Sequence, residues 1–182
     1  MSDWRLTPQN SVLVIVDVQE KLFKLSHRRE ESLAAMQRLI RSCRILNMPA
    51  LVTLQYVKGL GPLTPELAEA TQGLPALEKL AFSCCGLPEF ARRLKELGRQ
   101  RVILCGIEGH VCVQQTAIDL MKDYFVYVAA DAIGSRQRHD HKVAVERLRD
   151  CGAVITTVES AVFEMLREAG TEQFKACLPL FK

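Results

Sequence analysis

The chain has 182 residues, a mass of 20.4 kDa and a formal net charge of +3, and 48% of its residues are hydrophobic. This length and composition are typical of one folded globular domain, so we expect a single domain over residues 1–182. Because Lys and Arg are interleaved with Asp and Glu, no basic face indicates a nucleic-acid partner. The N-terminal segment has no apolar signal-peptide core, and the longest early apolar run is Val12–Val16, so we expect neither secretion nor binding to a membrane.

The seven cysteines are an odd number and include no Cys-x-x-Cys pair. Secreted disulfide frameworks use even numbers of cysteines, so we expect reduced thiols in a cytoplasmic protein. Cys84 and Cys85 are adjacent in the sequence, and adjacent residues form a disulfide only with difficulty. These two are therefore predicted to be free thiols.

The first half of the chain predicts three strands, separated by a helix and a long irregular segment. Val12–Val16 is an uninterrupted apolar run of the kind found in strands that are buried on both faces, and it ends at Asp17. An amphipathic helix, a second strand, a loop rich in Gly and Pro, and a short apolar strand that carries Lys79 follow. These elements are the helix marked by Leu33, Met36, Ile40 and Cys43, the strand 50–54, the loop 57–75 and the strand 77–82.

The second half alternates helices with three further strands. Pro88 opens a helix that ends before Gly98, because Pro is favoured in the first helical turn and Gly just after the last one. Apolar residues at helical spacing predict two more helices, and the ending 161–182 is also predicted to be helical. The remaining elements are the strands 102–105, 125–130 and 154–158 and the helices 113–124 and 144–151.

The alternation of strands and helices predicts the fold class. Strands that are apolar throughout need crossover connections and a parallel sheet covered on both faces. We therefore predict an α/β fold, a three-layer αβα doubly wound sandwich with a parallel six-stranded sheet. Right-handed crossovers leave few strand orders, of which 3-2-1-4-5-6 is a common one.

The glycine pattern excludes the usual cofactor-binding versions of this fold. A dinucleotide site needs a Gly-rich turn directly after the first strand, and the first glycine of the chain is Gly59. Neither the phosphate-binding sequence G-x-x-x-x-G-K-[ST] nor the serine-hydrolase sequence G-x-S-x-G occurs. We expect no cofactor.

Three residues arrive where the predicted strand order reverses, which is where ligands bind in such sheets. Asp17 follows the first strand, and Cys112 begins the helix after the fourth strand, where the helix dipole is expected to lower the pKa of its thiol. The ammonium of Lys79 would favour the thiolate while Asp17 takes the thiol proton. Each signal alone has an ordinary structural explanation, since Asp often begins a turn or caps a helix and Cys often packs in a core.

Three segments resemble the signature segments of the isochorismatase-like cysteine hydrolases, in the same order and at a similar spacing. They are Asp17–Gln19, Glu78–Ser83 and Gly106–Ala117. The resemblance extends over about residues 11–158, and Gln55–Gly61 resembles the isochorismatase-domain-containing branch of the family.

This resemblance implies a triad of Asp17, Lys79 and Cys112, in which the thiolate attacks an amide or a similar carbonyl compound. Family members that split isochorismate lack the cysteine, because a vinyl ether is protonated rather than attacked, so Cys112 favours acyl transfer. The resemblance also implies a cis peptide bond between Ile107 and Glu108. The backbone N–H groups of Glu108 and Cys112 are then expected to form the oxyanion hole.

The resemblance also bears on metals and partners. Nicotinamidases of the family carry metal-binding histidines after the second strand, where this chain has Gln55, Tyr56 and Val57, so we expect no metal. His139 and His141 lie at a polar helix start with their rings on different sides, which predicts solvated surface. Related enzymes are commonly oligomers that act on small molecules, and the apolar tail 174–181 is surface that a monomer would cover, so we expect a homo-oligomer with a small-molecule substrate.

Four residues near the triad are candidates for contact with the substrate. Gln19 and Phe23 follow Asp17 and are predicted to line the pocket, with core packing as the equal alternative for Phe23. Tyr56 has a polar tip on an apolar body, which suits either a pocket wall or a core position. His110 either contacts the substrate or caps the helix.

Two other functions are compatible with the sequence. An accessible Cys112 with a low pKa would also suit a thiol-based redox protein, although no resolving cysteine is evident near it. An interaction protein on the same fold would need no triad. The intact triad favours the hydrolase.

Overall fold

Six parallel strands form the sheet of the computed structural model, which describes residues 4–182. They are β1 (Ser11–Val16), β2 (Ala50–Gln55), β3 (Ala76–Lys79), β4 (Arg101–Ile107), β5 (Phe125–Gly134) and β6 (Val154–Thr156). Their order is β3-β2-β1-β4-β5-β6, which confirms the predicted topology. Residues 1–3 of the predicted domain lie outside the described part of the chain.

The two central strands place the functional residues. β1 and β4 are buried along their whole length, and Val14 of β1 pairs with Leu51 of β2 on one side and with Leu104 of β4 on the other. Both faces of these strands therefore need apolar side chains, which explains their uninterrupted apolar sequences. Connections leave β1 and β4 in opposite directions across the sheet, so a crevice is expected at their carboxyl ends.

Helices cover both faces of the sheet. They are α1 (Glu20–Phe23), α2 (Arg29–Ile45), α3 (Val57–Leu60), α4 (Pro65–Ala68), α5 (Pro88–Glu96), α6 (Gln114–Leu120), α7 (Arg138–Asp150), α8 (Val158–Leu166) and α9 (Glu172–Cys177). One core lies between the sheet and α2, α8 and α9, and a second lies between the sheet and α5, α6 and α7. Within residues 4–182, no helix is both long and apolar enough to cross a membrane.

The segment 57–75 was expected to be an irregular loop, and this prediction is wrong, because the segment contains the single-turn helices α3 and α4. Pro65 is the first residue of α4, where the missing N–H of proline leaves no helical hydrogen bond unmade. Gly59 lies inside α3. Gly and Pro therefore mark turns between short helices here rather than one continuous loop.

The C-terminal segment is helical only in part. α8 ends at Leu166, and Arg167 and Gly170 have positive φ angles of 70° and 87°, which interrupt the helix before α9 begins. Past α9, the chain finishes in a 3₁₀ turn over Leu178–Phe181.

The apolar residues of this tail pack on their own domain. The rings of Phe174 and Phe181 lie 6.1 and 5.5 Å from the ring of Phe163 in α8, and Cys177 is fully buried. The tail is therefore partly covered by its own domain, and it offers less free apolar surface than we expected to support a homo-oligomer. The large apolar side chains that are exposed lie elsewhere and include Leu25, Tyr56, Leu80 and Phe82.

Candidate active site

The site lies where the strand order reverses, at the carboxyl ends of β1 and β4. Asp17 directly follows β1, and Cys112 lies in a π-helical turn, Gly109–Val113, between β4 and α6. Gly106 lets the two strands approach closely here, because its φ is +119° and a Cβ at this position would overlap the carbonyl oxygen of Val16. Only glycine fits this position without a shift of the backbone.

Asp17 and Lys79 form a buried ion pair. Asp17 Oδ2 lies 2.6 Å from Lys79 Nζ, and both side chains are completely shielded from solvent. Buried charges are tolerated when they are paired and hydrogen-bonded, as they are here. The pair therefore provides a carboxylate of fixed position in a water-poor site.

The ammonium of Lys79 is fully occupied by the protein. Besides Asp17, it donates to Gln55 Oε1 at 2.7 Å and to the backbone carbonyls of Phe82 at 2.8 Å and Ala81 at 3.1 Å. An ammonium has three hydrogens to donate, and these four acceptors take all of them. Lys79 thus acts as a fixed counter-charge. Because its ammonium binds the carbonyls of Ala81 and Phe82, the chain turns away from the sheet, and β3 ends at Lys79 rather than at residue 82.

The second oxygen of Asp17 is held from β2. Thr53 Oγ1 donates to Asp17 Oδ1 at 2.7 Å, and Thr53 is fully buried. Side chains two residues apart in a strand lie on the same face, so Thr53 and Gln55 reach the Asp17–Lys79 pair together. The sequence interpretation missed both residues, because β2 was predicted only as a buried strand.

Cys112 lies close enough to Asp17 for the charge of the carboxylate to act on its thiol. It is only 4% exposed, and burial, together with the negative charge of Asp17, raises the pKa of its thiol to about 12, although Lys79 acts in the opposite direction. The prediction of a lowered pKa is therefore wrong. Cys112 is the fourth residue of its helical turn rather than the first, and desolvation outweighs the ammonium and the helix end. The resting site holds a thiol beside a carboxylate.

The loop before Cys112 has the expected backbone geometry. The peptide bond between Ile107 and Glu108 is cis. The carbonyl of Glu108 accepts hydrogen bonds from the N–H groups of Val111 at 3.1 Å and Val113 at 3.2 Å, and its buried carboxylate lies 2.7 Å from Arg136. These contacts hold both the backbone carbonyl and the side chain of Glu108 in place.

Two of the predicted substrate-binding residues have other partners. The amide of Gln19 accepts from the N–H of Gln55 at 2.7 Å and donates to the carbonyls of Gln55 at 2.9 Å and Gly61 at 2.6 Å, and its side chain is fully buried. Gln19 therefore joins the chain after β1 to the end of β2, and we correct its predicted role. Phe23 is 1% exposed and belongs to the core, which was its alternative interpretation.

The other two predicted substrate-binding residues are more accessible. Tyr56 is 46% exposed, has a φ of +38° and lays its ring over Gly59. His110 Nε2 lies 3.9 Å from Asp140 Oδ2, while its Nδ1 is buried without a hydrogen-bond partner in the described structure. Residues two apart in a helical turn point to different sides, so His110 faces α7 rather than the Cys112 thiol.

Cys84 is a further neighbour of the cluster that was not expected. Its Sγ lies 3.5 Å from Thr53 Oγ1, and its backbone N–H donates to Thr116 Oγ1 at 2.9 Å. Burial, followed by the charge of Asp17, raises the pKa of its thiol to about 11. No resolving cysteine was evident near Cys112 in the sequence, whereas in the fold Cys84 is close enough to act on the Cys112 thiol. Its place in the sequence just after the segment that carries Lys79 is the one signal that points to it.

The described residues contain no metal site built from the usual His, Cys, Asp and Glu ligands. Within residues 4–182, no group of three or more His, Cys, Asp or Glu side chains is placed to hold a metal ion.

His141 is half-buried, with its ring centroid 5.9 Å from that of His27, and burial lowers its pKa. The expectation of a solvated His141 is therefore wrong, because α7 packs against the chain near His27.

Several known proteins are similar to this chain over most of its length. The family model described as "Isochorismatase domain" matches residues 11–160. The secreted isochorismatase effector Isc1 of Phytophthora sojae (strain P6497) is 39% identical, with 98% of this chain and 87% of that protein covered. Isochorismatase domain-containing protein 2 of Danio rerio is 38% identical, with 94% of this chain and 86% of that protein covered.

A solved structure of similar sequence has the same fold. The structure of MAR1 ribonuclease from Caenorhabditis elegans has a TM-score of 0.91 and 37% sequence identity, and the match covers 97% of this chain and 92% of that one. The span matched by the family model includes Asp17, Lys79 and Cys112.

Proposed function

The chain belongs to the isochorismatase family, and we propose that it is a metal-free cysteine hydrolase that cleaves a small amide or a related carbonyl compound. One observation carries the proposal. The buried carboxylate of Asp17 is paired with the Lys79 ammonium, and its negative charge acts on the nearby Cys112 thiol. A nucleophile within reach of a base, with the base oriented by a third group, is the arrangement that covalent catalysis requires.

In the proposed first step, Asp17 removes the proton of the Cys112 thiol while the sulfur attacks the carbonyl carbon of the substrate. Transfer of the proton at the moment of attack suits a thiol whose pKa is raised, because the free thiolate is scarce at neutral pH. The tetrahedral intermediate then collapses, and Asp17 returns the proton to the leaving amine. The product of this half-reaction is a thioester on Cys112.

In the second step, Asp17 takes a proton from a water molecule, which attacks the thioester carbonyl. The acid product leaves, and the proton on Asp17 returns to the Cys112 sulfur. Lys79 has no hydrogen left for the substrate, so we assign it the role of holding and balancing the charge of Asp17. The N–H groups of Glu108 and Cys112 are the proposed donors to the oxyanion in both steps.

We include RNA cleavage as a second candidate, because the similar protein from Caenorhabditis elegans is named a ribonuclease. Cleavage of RNA by attack of a 2′-hydroxyl group needs a base, a role open to Asp17, but it needs no thiol nucleophile. Isochorismate cleavage, which the name of the Phytophthora relative suggests, likewise proceeds by protonation. The dependence of activity on Cys112 therefore separates the candidates.

The test is a panel of small amides, isochorismate and a single-stranded RNA, assayed with EDTA present. Ammonia release, isochorismate loss and RNA fragmentation are measured for the wild type, Cys112→Ala and, as a control, Cys151→Ala at an exposed cysteine. We expect amide turnover that Cys112→Ala abolishes and Cys151→Ala leaves unchanged. Turnover of isochorismate or RNA that survives Cys112→Ala, without any amide turnover, would contradict the proposal.

A further inference from the structure

Two buried side chains beside Asp17, Thr53 and Cys84, have no part in the proposed mechanism. Thr53 is fully buried on β2, and Cys84 is fully buried in a 3₁₀ turn, Cys84–Gly86, that follows β3. We propose that Thr53 and Cys84 form a hydrogen-bond relay that positions the Asp17 carboxylate. The relay rests on the proposed function, in which Asp17 is the base.

The direction of each hydrogen bond in the relay follows from the hydrogens available. Thr53 has one hydroxyl hydrogen, and Asp17 Oδ1 at 2.7 Å takes it. The contact of 3.5 Å between Thr53 Oγ1 and Cys84 Sγ then requires the Cys84 S–H to be the donor. A carboxylate is the stronger acceptor, so this order, from Cys84 through Thr53 to Asp17, is the favoured one.

The position of Cys84 is itself fixed. Its backbone N–H donates to Thr116 Oγ1 at 2.9 Å, and Thr116 lies on α6, one turn after Cys112. Ser83 caps the turn by accepting from the N–H of Cys85 at 3.3 Å. The far end of the relay is therefore tied to the helix that follows the nucleophile.

The relay leaves Asp17 one orientation. Lys79 holds Oδ2, and Thr53 holds Oδ1, so the plane of the carboxylate cannot turn. A fixed plane presents the same oxygen lone pair to Cys112 in every turnover. Thr53 and Cys84 act through Asp17 and do not touch the reacting atoms, so both are positioning residues.

The relay predicts the direction in which the pH profile of Cys112 alkylation moves. The hydrogen bond from Thr53 draws negative charge from the Asp17 carboxylate, so its loss leaves more negative charge to act on the Cys112 thiol. The thiol then holds its proton more firmly, and its alkylation by iodoacetamide moves to higher pH.

The experiment compares Thr53→Val, which has the same shape without the hydroxyl, with Thr53→Ser, which keeps it. In Thr53→Val we expect kcat to fall about tenfold at unchanged KM and the alkylation profile to move to higher pH, and we expect Thr53→Ser to restore the wild-type values. Asp17→Asn, in contrast, moves the alkylation profile to lower pH. A wild-type alkylation profile in folded Thr53→Val would overturn the relay.

Cys84 gives a second and independent comparison if Thr53→Val does not fold. We expect Cys84→Ala to move the alkylation profile upward by less than Thr53→Val would, and Cys84→Ser to leave it in place, with Cys85→Ser as the matched control at the neighbouring cysteine. A wild-type profile in Cys84→Ala would overturn the relay. Alkylation needs no substrate, so a shift without any acyl transfer would support the relay while contradicting the hydrolase.

Discussion

The Asp17 carboxylate acts on the Cys112 thiol and raises its pKa, although the two residues follow different strands of the sheet. Burial of the thiol and the charge of Asp17 together favour the protonated sulfur at neutral pH. A thiol beside its base is protected from oxidation and alkylation until a substrate enters, since the thiolate is the reactive form. The raised pKa therefore weighs against a redox function that depends on a free thiolate.

The first prediction concerns the reactivity of Cys112. Because burial and Asp17 raise its pKa to about 12, iodoacetamide should alkylate Cys112 at pH 7 more slowly than the exposed Cys151, with a rate that keeps rising into the alkaline range. In Asp17→Asn the charge that raises the pKa is gone while Lys79 still lowers it, so the profile should move down by about 1 to 3 pH units. Peptide mass spectrometry measures both rates. Faster labelling of Cys112 than of Cys151 in the wild type at pH 7 would contradict this prediction.

The second prediction concerns the corrected role of Gln19. Gln19→Leu removes two buried hydrogen bonds and one partly buried one, and it leaves the N–H of Gln55 without its partner, so the free energy of unfolding should fall by about 2 to 4 kcal/mol. The matched control is Gln37→Leu, which removes one exposed hydrogen bond to the Glu66 carbonyl and should cost about 0.5 kcal/mol or less. Urea denaturation measures both values. Equal stabilities of the two variants would contradict the structural role of Gln19, which would then again be a candidate for binding the substrate.

The third prediction concerns the close approach of β1 and β4. A Cβ on Gly106 would overlap the backbone of Val16 at a φ of +119°, so Gly106→Ala should unfold the protein or destabilise it by more than about 4 kcal/mol. Gly98 also has a positive φ, of +64°, but an added Cβ there meets nothing within 4 Å. Gly98→Ala should therefore cost only about 1 to 2 kcal/mol, the strain of the left-handed backbone. Thermal unfolding separates the two variants, and similar melting temperatures would refute the close approach.

The fourth prediction is that the protein is a homo-oligomer. Leu80 and Phe82 are 73% and 54% exposed, while the carbonyls of their loop are held by Gln55 and Lys79, so their side chains are displayed on a fixed backbone. Exposed apolar side chains on a fixed loop favour association. Light scattering of the wild type should give a multiple of the 20.4 kDa chain mass. A monomeric mass at working concentration would count against this prediction.

The fold and the positions of Asp17, Lys79 and Cys112 could be predicted from the sequence because they depend on the order of the strands and helices along the chain. The apolar runs Val12–Val16 and 102–105 require central strands, and whatever follows them, including Asp17 and the segment before Cys112, must arrive at the reversal of strand order. The position of Lys79 near Asp17 also follows from its place in the third strand. These inferences need only the order of the strands and helices along the chain, and they need no distances between side chains.

The rest of the site depends on packing that the sequence does not display. In the sequence, Thr53 is one residue of an apolar strand, and Cys84 is one of two adjacent thiols. Only the fold shows that Thr53 contacts Asp17 and that Cys84 contacts Thr53. The direction of the Cys112 pKa was predicted wrongly for a similar reason. The helix end and the ammonium are visible in the sequence, whereas the extent of desolvation is a property of the folded core.

An acyl group on Cys112 is the intermediate that the proposed mechanism requires, and it can be detected by its mass. The protein is incubated with p-nitrophenyl acetate, a small activated ester, quenched in acid and examined by intact-mass and peptide mass spectrometry. We predict one acetyl group on Cys112 that disappears with time in the wild type, persists in Asp17→Asn because the base for water is gone, and is absent in Cys112→Ala. Acetylation of the exposed Cys151 with none on Cys112, under conditions where the protein is folded, would contradict the central claim that Cys112 is the nucleophile.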